Sequence, residues 1–316
     1  MSREEKKQEQ AARVAWMYYV AGMTQQDIAR ELGISRQVAQ RLVSSAREQG
    51  MVTVKIAHPV ARCLKLAQQV QERFGLEICR VVASEGLDDE AIQQMLAVEG
   101  AEVMSQFIAD EQPQVFGIGS GKTLRSIIDV LPWVERPQHH CVSMLGAIAR
   151  DDSGTRYDMP LKMAEKMQGK YFFIPAPLYA DSEEDRDMWC RHKVYQRVTN
   201  RALAANVAFL GVGEVDIGCP LNAEGFITDE QVSMLHAQGA AGEMLGHFFD
   251  HSGQRVYSEL DALLTSVPLQ SDNPRKIIAF SGGMRKFAAI KAALTGRWMS
   301  GLVTDESTAV RLLGEE

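Results

Sequence analysis

The sequence predicts an α/β protein with two domains. An N-terminal winged helix-turn-helix domain covers residues 1–58, and a doubly wound, mostly parallel-sheet domain covers residues 59–316. Three observations predict this class. The chain has 316 residues, which is more than one hydrophobic core usually serves. Two capped helices joined through a glycine lie near the N-terminus, and short apolar runs then alternate with amphipathic helical segments.

The charge of the chain divides at the same boundary. The formal net charge is −7, but residues 1–58 contain nine Lys/Arg against six Asp/Glu, whereas residues 59–316 contain 25 against 35. This division favours DNA binding by a small basic head and argues against a general nucleic-acid binder, because the larger part of the chain is acidic.

Composition bounds the compartment and the chemistry. No apolar run approaches the roughly 18 residues that a membrane helix needs, and no apolar segment follows Lys6 and Lys7 to make a signal peptide. The five cysteines are scattered and form no CxxC pair. We therefore expect a cytoplasmic protein with reduced thiols, no membrane partner, no metal site and no cofactor.

Residues 24–50 carry the helix-turn-helix pattern. A first helix over residues 11–20 precedes them, and Thr24 then supplies an N-cap for a second helix. Gly33 stops that helix, since glycine reaches the left-handed conformation that a tight turn between helices requires. Ser35 caps a third helix, which Gly50 closes. Two capped helices joined through one glycine are typical of this motif.

The third helix predicts how DNA would be read. Ala39 and Leu42 face inward, so the Gln and Arg side chains near the helix N-terminus project from the opposite face. Gln and Arg recognise adenine and guanine edges in the major groove. A merely solvated polar face is the alternative, but the ordered caps argue against it. The alternating segment MVTVKIA at residues 51–57 predicts a wing. The predicted DNA-contacting residues are Thr24, Gln25, Ser35, Arg36, Gln37, Gln40 and Arg41.

Seven apolar, mostly β-branched runs predict the strands of the second domain. Near-continuous apolar runs are expected where a parallel sheet is buried on both faces. Ligands of such sheets bind beyond the carboxyl ends of the strands. The runs are ICRVVAS, QVFGIGS, CVSMLGAIA, KYFFIPAP, VAFLGVGE, KIIAFSGG and MSGLVTD.

Three strand ends predict an anion site. Residues 119–123 read Gly-Ser-Gly-Lys-Thr, residues 281–283 read Ser-Gly-Gly with Arg285 and Lys286 close behind, and Thr304 precedes Asp305. Small residues let backbone N–H groups approach an anion at a helix N-terminus, and lysine adds charge. Carboxylates suit sugar hydroxyls. The sequence therefore predicts a pocket for a phosphorylated polyol, the alternative being that the glycines only make tight strand-to-helix turns.

Two more specific nucleotide-binding motifs are not satisfied at residues 117–123. A P-loop requires glycine five residues before Gly121, but that residue is Phe116. A dinucleotide fingerprint that opens at Gly117 and Gly119 requires its third glycine where Lys122 stands.

The chain resembles the SorC family of sugar-binding transcriptional regulators over nearly its whole length. The resemblance runs from VAWMYYVAGMTQQDIARELGIS through GIGSGKTL, FIPAPLYA and LGVGE to GHFFDHSG, FSGGMRKFAAIKAALTG and LVTDESTA. It implies a winged helix-turn-helix joined to a Rossmann-like effector domain akin to sugar-phosphate isomerases and aminosugar-phosphate deaminases. It also implies a homo-oligomer, a tetramer, that binds operator DNA and responds to a phosphorylated sugar effector.

The resemblance also implies the effector contacts. They are Gly119, Ser120, Gly121, Lys122, Thr123, Asp250, Gly282, Gly283, Lys286 and Asp305. Two departures stand out. The family commonly has threonine or another small polar residue where Lys122 stands, which suggests a more anionic or differently placed ligand group. Residues 39–43 read AQRLV instead of the frequent VSRLL, which suggests a different operator preference.

An enzyme is the alternative function. A sugar-phosphate isomerase or deaminase with an accessory DNA domain needs a general base beside the carbon that loses its proton. Asp250, Asp305 and Glu306 are the candidate bases. The sequence favours the regulator and predicts no catalytic residue.

Overall fold

The computed structural model describes residues 3–52, 59–148 and 159–314. Contacts within the chain divide it into two compact units, Met1–His58 and Pro59–Glu316. We call the first unit the head and the second the body.

The head contains three helices, α1 (Arg3–Tyr19), α2 (Gln25–Leu32) and α3 (Arg36–Glu48). Helix α1 begins well before the predicted residue 11, because Glu, Lys and Gln in its first turns are strong helix formers. The three helices share one small apolar core. Its buried members are Ala11, Val14, Ala15, Met17, Ile28, Ala29, Ala39, Leu42, Val43 and Ala46.

Local capping sets the helix boundaries of the head as predicted. The Thr24 hydroxyl accepts the Asp27 N–H at 3.2 Å, and the Ser35 hydroxyl accepts the Val38 N–H at 3.3 Å. Gly33 ends α2 in the left-handed conformation, with φ at 64°. The small Ala29 and Ala39 are both buried where α2 and α3 pack together. Most of the predicted wing, from residue 53 onward, lies outside the described residues.

The body is built on ten strands and eleven helices in its described residues. The strands are β1 (Ile78–Val82), β2 (Val115–Ile118), β3 (His140–Ile148), β4 (Lys170–Pro177), β5 (Val207–Leu210), β6 (Ala240–Met244), β7 (His247–Asp250), β8 (Arg255–Val256), β9 (Lys276–Phe280) and β10 (Gly301–Asp305). The helices are α4 (Pro59–Phe74), α5 (Asp89–Ile108), α6 (Lys122–Val130), α7 (Met159–Met167), α8 (Glu183–Arg191), α9 (Lys193–Leu203), α10 (Pro220–Ala223), α11 (Asp229–Ala237), α12 (Glu259–Leu263), α13 (Phe287–Thr295) and α14 (Glu306–Leu313).

Seven of these strands form one parallel sheet in the order β1-β10-β9-β5-β2-β3-β4. They correspond to the seven predicted apolar runs, so the α/β class and the mostly parallel sheet are confirmed. One apolar cluster includes residues of α5, α6 and α7, and another includes residues of α4, α9, α13 and α14. Apolar strands with helices on both faces are the expected signature of a doubly wound sheet.

The direction in which successive strands are added to the sheet reverses between β2 and β5. From β2 the chain moves outward through β3 to the edge strand β4, and it then returns to β5 on the other side of β2. The loops after β2 and β5 therefore leave the sheet in opposite directions and open a crevice at its carboxyl edge. Sheet topology thus predicts where a ligand would bind.

A second, three-stranded antiparallel sheet, β6-β7-β8, was not predicted from the sequence. Its strands are short, and the β6–β7 turn is made by Leu245 and Gly246, with φ at 56° and 79°. Positive φ at both central residues suits a hairpin turn, but leucine lacks the Asn-Gly signature that announces such turns in a sequence.

Candidate ligand-binding site and nucleic-acid interface

A cavity of about 620 Å³ lies at the crevice between β2 and β5. It is lined by the loops that follow β2, β5 and β9, together with the β6–β7 turn and residues of α5 and α10. The polar and charged residues of its lining are Asp89, Gln93, Ser120, Lys122, Thr123, Glu214, Glu224, Glu243, Arg285 and Lys286. The volume is that of an ordinary small-molecule site.

The N-terminus of α6 forms one side of this cavity. Its N-cap is Gly121, which makes no side-chain capping hydrogen bond and has φ at 122°. The first backbone N–H groups of a helix lack intrahelical partners and carry partial positive charge, so they suit an anion. Lys122 is exposed beside them, whereas the buried Thr123 hydroxyl donates to Gln93 Oε1 at 2.8 Å. Thr123 is thus tied to α5, and Lys122 is available to a ligand.

The loop after β9 forms a second side. Gly283 has φ at 92°, which favours glycine, and its N–H donates to Asp305 Oδ2 at 2.7 Å. A Cβ added at Gly282 would meet the same carboxylate oxygen at 2.6 Å. Arg285 and Lys286 follow in a short 3₁₀ turn and line the cavity. Asp305 therefore fixes the path of this loop from behind.

Glu243, on β6, brings a carboxyl group to the cavity. Its backbone pairs with Gly213 through hydrogen bonds of 2.9 and 3.0 Å, and Gly246 N–H donates to its Oε2 at 3.0 Å. Burial raises the pKa of Glu243 to about 7, against the lowering effects of the Gly246 N–H and Lys286, and the nearby charge of Glu214 raises it further. Glu243 consequently changes charge near neutral pH.

Glu214 directly follows Gly213, the residue beyond the end of β5 that pairs with Glu243. Its Oε1 is 3.7 Å from the guanidinium of the exposed Arg285. Its Oε2 is shielded from solvent and has no hydrogen-bond partner among the described residues. A buried acceptor without a donor is unfavourable, so a rotation of the Glu214 side chain that brings this oxygen to a donor on a ligand in the cavity would be favourable.

The structure brings seven of the ten predicted effector contacts together. Ser120, Gly121, Lys122, Thr123, Gly282, Gly283 and Lys286 all line the cavity. The other three, Gly119, Asp250 and Asp305, lie outside its described lining.

Each of these three has a structural role in the body. Gly119 N–H donates to Phe209 O at 2.9 Å, so this glycine packs β2 against β5. The Asp250 carboxylate turns back on its own hairpin and accepts N–H groups of Ser252 and Gln254 at 2.8 and 3.0 Å. Asp305 is fully buried and caps α14 through Thr308.

The carboxylates named as candidate general bases for the enzyme alternative likewise make structural contacts within the body. Besides Asp250 and Asp305, Glu306 is 6% exposed and pairs with Arg62 at 3.0 Å, outside the described cavity lining.

Sequence reasoning missed Glu214 and Glu243. Glu214 could have been found, because Gly211-Val212-Gly213-Glu214 follows β5 in the same small-residue pattern that marked the ends of β2 and β9. Glu243 had no such signal, since it belongs to the short antiparallel sheet that the sequence did not predict.

The predicted DNA-reading side chains share an exposed face of the head. Arg36, Gln37, Gln40 and Arg41 are all exposed on α3, whereas Ala39 and Leu42 are buried. Thr24 and Ser35 are exposed at the starts of α2 and α3, and Gln25 is half-buried. The face therefore presents four donor-rich side chains near the N-terminus of α3, as major-groove recognition requires.

A helix-turn-helix head and an α/β body with a ligand cavity define a ligand-binding transcriptional regulator. Among the residues that the structure describes, no helix combines the length and apolar character needed to cross a membrane.

Comparisons with known proteins agree with this class. Residues 58–314 match the family described as "Putative sugar-binding domain", and residues 10–62 match the MarR family. The chain is similar to the erythritol catabolism regulatory protein EryD of Brucella abortus, with 32% identity over 96% of each chain. It is also similar to the transcriptional regulator LsrR of an Enterobacter species, with 32% identity over 97% of this chain and 93% of the relative.

The full-length sorbitol operon regulator SorC of Klebsiella pneumoniae has a similar crystal structure. The TM-score is 0.73 at 27% identity, and the match covers 96% of this chain and 98% of that one. The chain belongs to the SorC family of sugar-binding transcriptional regulators.

Proposed function

We propose that this protein regulates a carbohydrate-utilisation operon and that a phosphorylated sugar in the cavity of the body controls its affinity for operator DNA. One observation carries the ligand part of this proposal. The uncapped N-terminus of α6, with Lys122 beside it, opens into a cavity that also holds carboxylates suited to hydroxyl groups. The names of the similar regulators, which refer to erythritol and sorbitol, support a carbohydrate ligand.

Control would operate by linkage. A ligand that binds one state of the protein more tightly shifts operator affinity by its difference in binding free energy between the two states.

The resemblance supports a cytoplasmic homotetramer as the acting form. Light scattering after size exclusion, with and without ligand, tests this state through the mass of four chains.

Thermal unfolding with phosphorylated and unphosphorylated sugars tests the ligand class. We expect the midpoint to rise only with a phosphorylated compound, because a ligand specific for the folded state stabilises it by mass action. Equal shifts of the midpoint with a phosphorylated sugar and with the same sugar without its phosphate contradict the proposed role of the α6 N-terminus.

Substitutions on α3 test the DNA interface. We expect Arg36→Ala or Arg41→Ala to weaken binding to a duplex selected by the wild-type protein by about 5- to 150-fold, since a base-reading arginine contributes about 1–3 kcal/mol. Fluorescence anisotropy at physiological salt measures this loss. Arg47→Ala, in the last turn of the same helix, is the charge-matched control. Equal losses for all three arginines would indicate contacts to phosphates without base reading.

One observation favours a second candidate function. Glu243 has a pKa of about 7 and lines the cavity beside Lys286, as a general base of a sugar-phosphate isomerase should. Turnover of a pentose or hexose phosphate that disappears in Glu243→Gln would establish this enzyme. Binding of the same compounds without turnover would leave the regulator as the function.

A further inference from the structure

Four of the charged residues that line the cavity form two pairs of opposite charge. The positive charge of Lys286 lowers the pKa of Glu243, and the guanidinium of Arg285 lies 3.7 Å from Glu214 Oε1. The two cations that follow β9 are therefore offset by the two carboxylates. Among the described lining residues this leaves Lys122 and the N-terminus of α6 as the place for an anionic group.

The two carboxylates belong together structurally. Gly213 and Glu243 pair through their backbones, and Glu214 is the next residue of the chain. A Cβ added at Gly213 would clash with Glu243 Oε1, so the glycine lets the carboxylate lie against this segment. Glu214 also raises the pKa of Glu243, as expected for neighbouring like charges. An acidic ligand group next to this pair would add a third negative charge.

The hydrogen-bonding capacity of the pair is incompletely used. Glu243 Oε2 accepts the Gly246 N–H, but Glu214 Oε2 is shielded from solvent and has no partner in the described parts of the chain. Ionised carboxylates only accept hydrogen bonds, so the group that completes this site must donate. Hydroxyl and ammonium groups donate, whereas a carboxylate or a second phosphate dianion does not.

We propose that the cavity selects a ligand with a single phosphate and a hydrogen-bond-donating, non-acidic tail, and that Glu214 and Glu243 reject acidic tails. A linear polyol phosphate and an aminosugar phosphate both have this chemistry. This inference rests on the proposed function, because the phosphate is assigned to the N-terminus of α6. It goes further by assigning the opposite end of the ligand and the residues that recognise it.

Calorimetric titration of the full chain at pH 8 with matched ligands tests the proposal. In a six-carbon series the ligands are D-glucitol 6-phosphate, D-glucosamine 6-phosphate, 6-phospho-D-gluconate and D-glucitol 1,6-bisphosphate. In a four-carbon series they are erythritol 4-phosphate and 4-phosphoerythronate. In the series that fits the cavity, we expect the polyol phosphate to bind at least tenfold more tightly than the phosphorylated acid. Tighter binding of the amine than of the polyol would assign the carboxylate pair to an ammonium group, and the reverse order would assign it to hydroxyls.

Isosteric variants show whether the pair causes this selectivity. Glu214→Gln and Glu243→Gln should each reduce the preference over the acid to below about threefold. Glu230→Gln, on the exposed start of α11 and outside the described cavity lining, removes the same charge and should leave the preference unchanged.

The outcomes separate the two proposals. Wild-type protein that binds the acid or the bisphosphate as tightly as the polyol phosphate overturns the selectivity and leaves the phosphorylated-sugar effector standing. An unchanged preference in both glutamine variants also overturns it. Binding of none of these phosphorylated compounds overturns the proposed function, and this inference with it.

Discussion

The head and the body build their functional surfaces in different ways. In the head, the side chains expected to contact DNA lie within Thr24–Arg41, and the caps at Thr24 and Ser35 place them by contacts three residues apart. In the body, the cavity collects residues from loops as distant in sequence as Ser120 and Lys286. The head surface is therefore local in origin, while the body site exists only when the whole sheet has formed.

This difference predicts how each unit responds to substitution. A change at an exposed residue of the head should act on one helix and one face, because these side chains lie outside the apolar core that α1, α2 and α3 share. A change at a buried residue of the body should alter several loops together, because one side chain there joins segments that are far apart in the sequence. Asp305 is such a residue, since it contacts both Gly283 and Thr308.

The largest effect is expected for Asp305→Ala. Its carboxylate accepts the N–H of Gly283, the N–H of Thr308 and the Thr308 hydroxyl at 2.7, 3.0 and 2.6 Å, with no exposure to solvent. Removing it leaves these donors buried without a partner, so we expect the free energy of unfolding to fall by about 3 kcal/mol. The freed Gly282–Gly283 loop should also weaken binding of a phosphorylated ligand at least tenfold. Urea denaturation and calorimetry measure the two effects.

Asp250→Ala is the matched substitution at the surface. Its carboxylate also accepts several hydrogen bonds, but in an exposed turn where water can replace them, so the loss should be about 1 kcal/mol. An equal loss of stability for the two variants would break the distinction between buried and surface carboxylates. A tenfold loss of ligand affinity in Asp250→Ala would instead support the ligand contact that the family resemblance implies.

A smaller effect is expected from the charge of Glu243. The unfolded chain releases this proton near pH 4.5, whereas the folded body retains it to about pH 7. Between these values the folded state binds more protons, so the contribution of Glu243 to stability falls as pH rises through this window and is constant above it. The difference in unfolding free energy between wild type and Glu243→Gln should therefore decrease from pH 5 to pH 7. We expect a decrease of about 2 kcal/mol, which is less than the full pKa shift would give, because the side chain is only partly buried and solvent screens its charge.

Denaturation at a series of pH values measures this difference, and the variant removes the contribution of every other titrating group. A difference that increases between pH 5 and pH 7 would show that the environment of Glu243 favours its charged form. The cavity would then lack the carboxyl group with a raised pKa that distinguishes it from the head.

The smallest effect is expected in the head. Ser35→Ala removes the side-chain cap of α3, which should destabilise the helix by about 1 kcal/mol. Amide hydrogen exchange in the full chain should become roughly fivefold faster in α3, with β9 and β10 unchanged. Ser35→Asp, which retains a capping oxygen, should restore protection. Faster exchange across the body strands would show that the helix cap is not local in its action.

Much of this architecture could be predicted because its causes lie close together in the sequence. The caps at Thr24 and Ser35 and the stop at Gly33 each act within one helical turn. Seven apolar runs identified the parallel strands because apolar clusters bury most of the sheet on both faces. The glycine-rich ends of β2 and β9 marked two sides of the cavity for a similar reason, since small residues and a following helix are adjacent in the chain.

The remaining parts depended on contacts that no local pattern reveals. The β6–β7 turn is held at Leu245 and Gly246 without its usual sequence signature, and this turn brings Glu243 to the cavity. Asp305 is the last residue of β10, a position from which a side chain can contact a ligand, yet the structure places it behind the Gly282–Gly283 loop. Periodicity predicts that a strand ends at a residue, but it does not predict which side of the loop the side chain occupies.

The sequence by itself determined the two classes of domain, the exposed face of α3 and the glycine-rich loop at the start of α6. Helix caps, apolar periodicity and glycine turns each depend on residues that are close together in the sequence. Only the tertiary structure decided which carboxylates meet the cavity. Glu214 and Glu243 come together through the order of β2 and β5 in the sheet and a hairpin packed against it. That pairing depends on long-range strand order, and the pKa of Glu243 near 7 depends on the burial that follows from it.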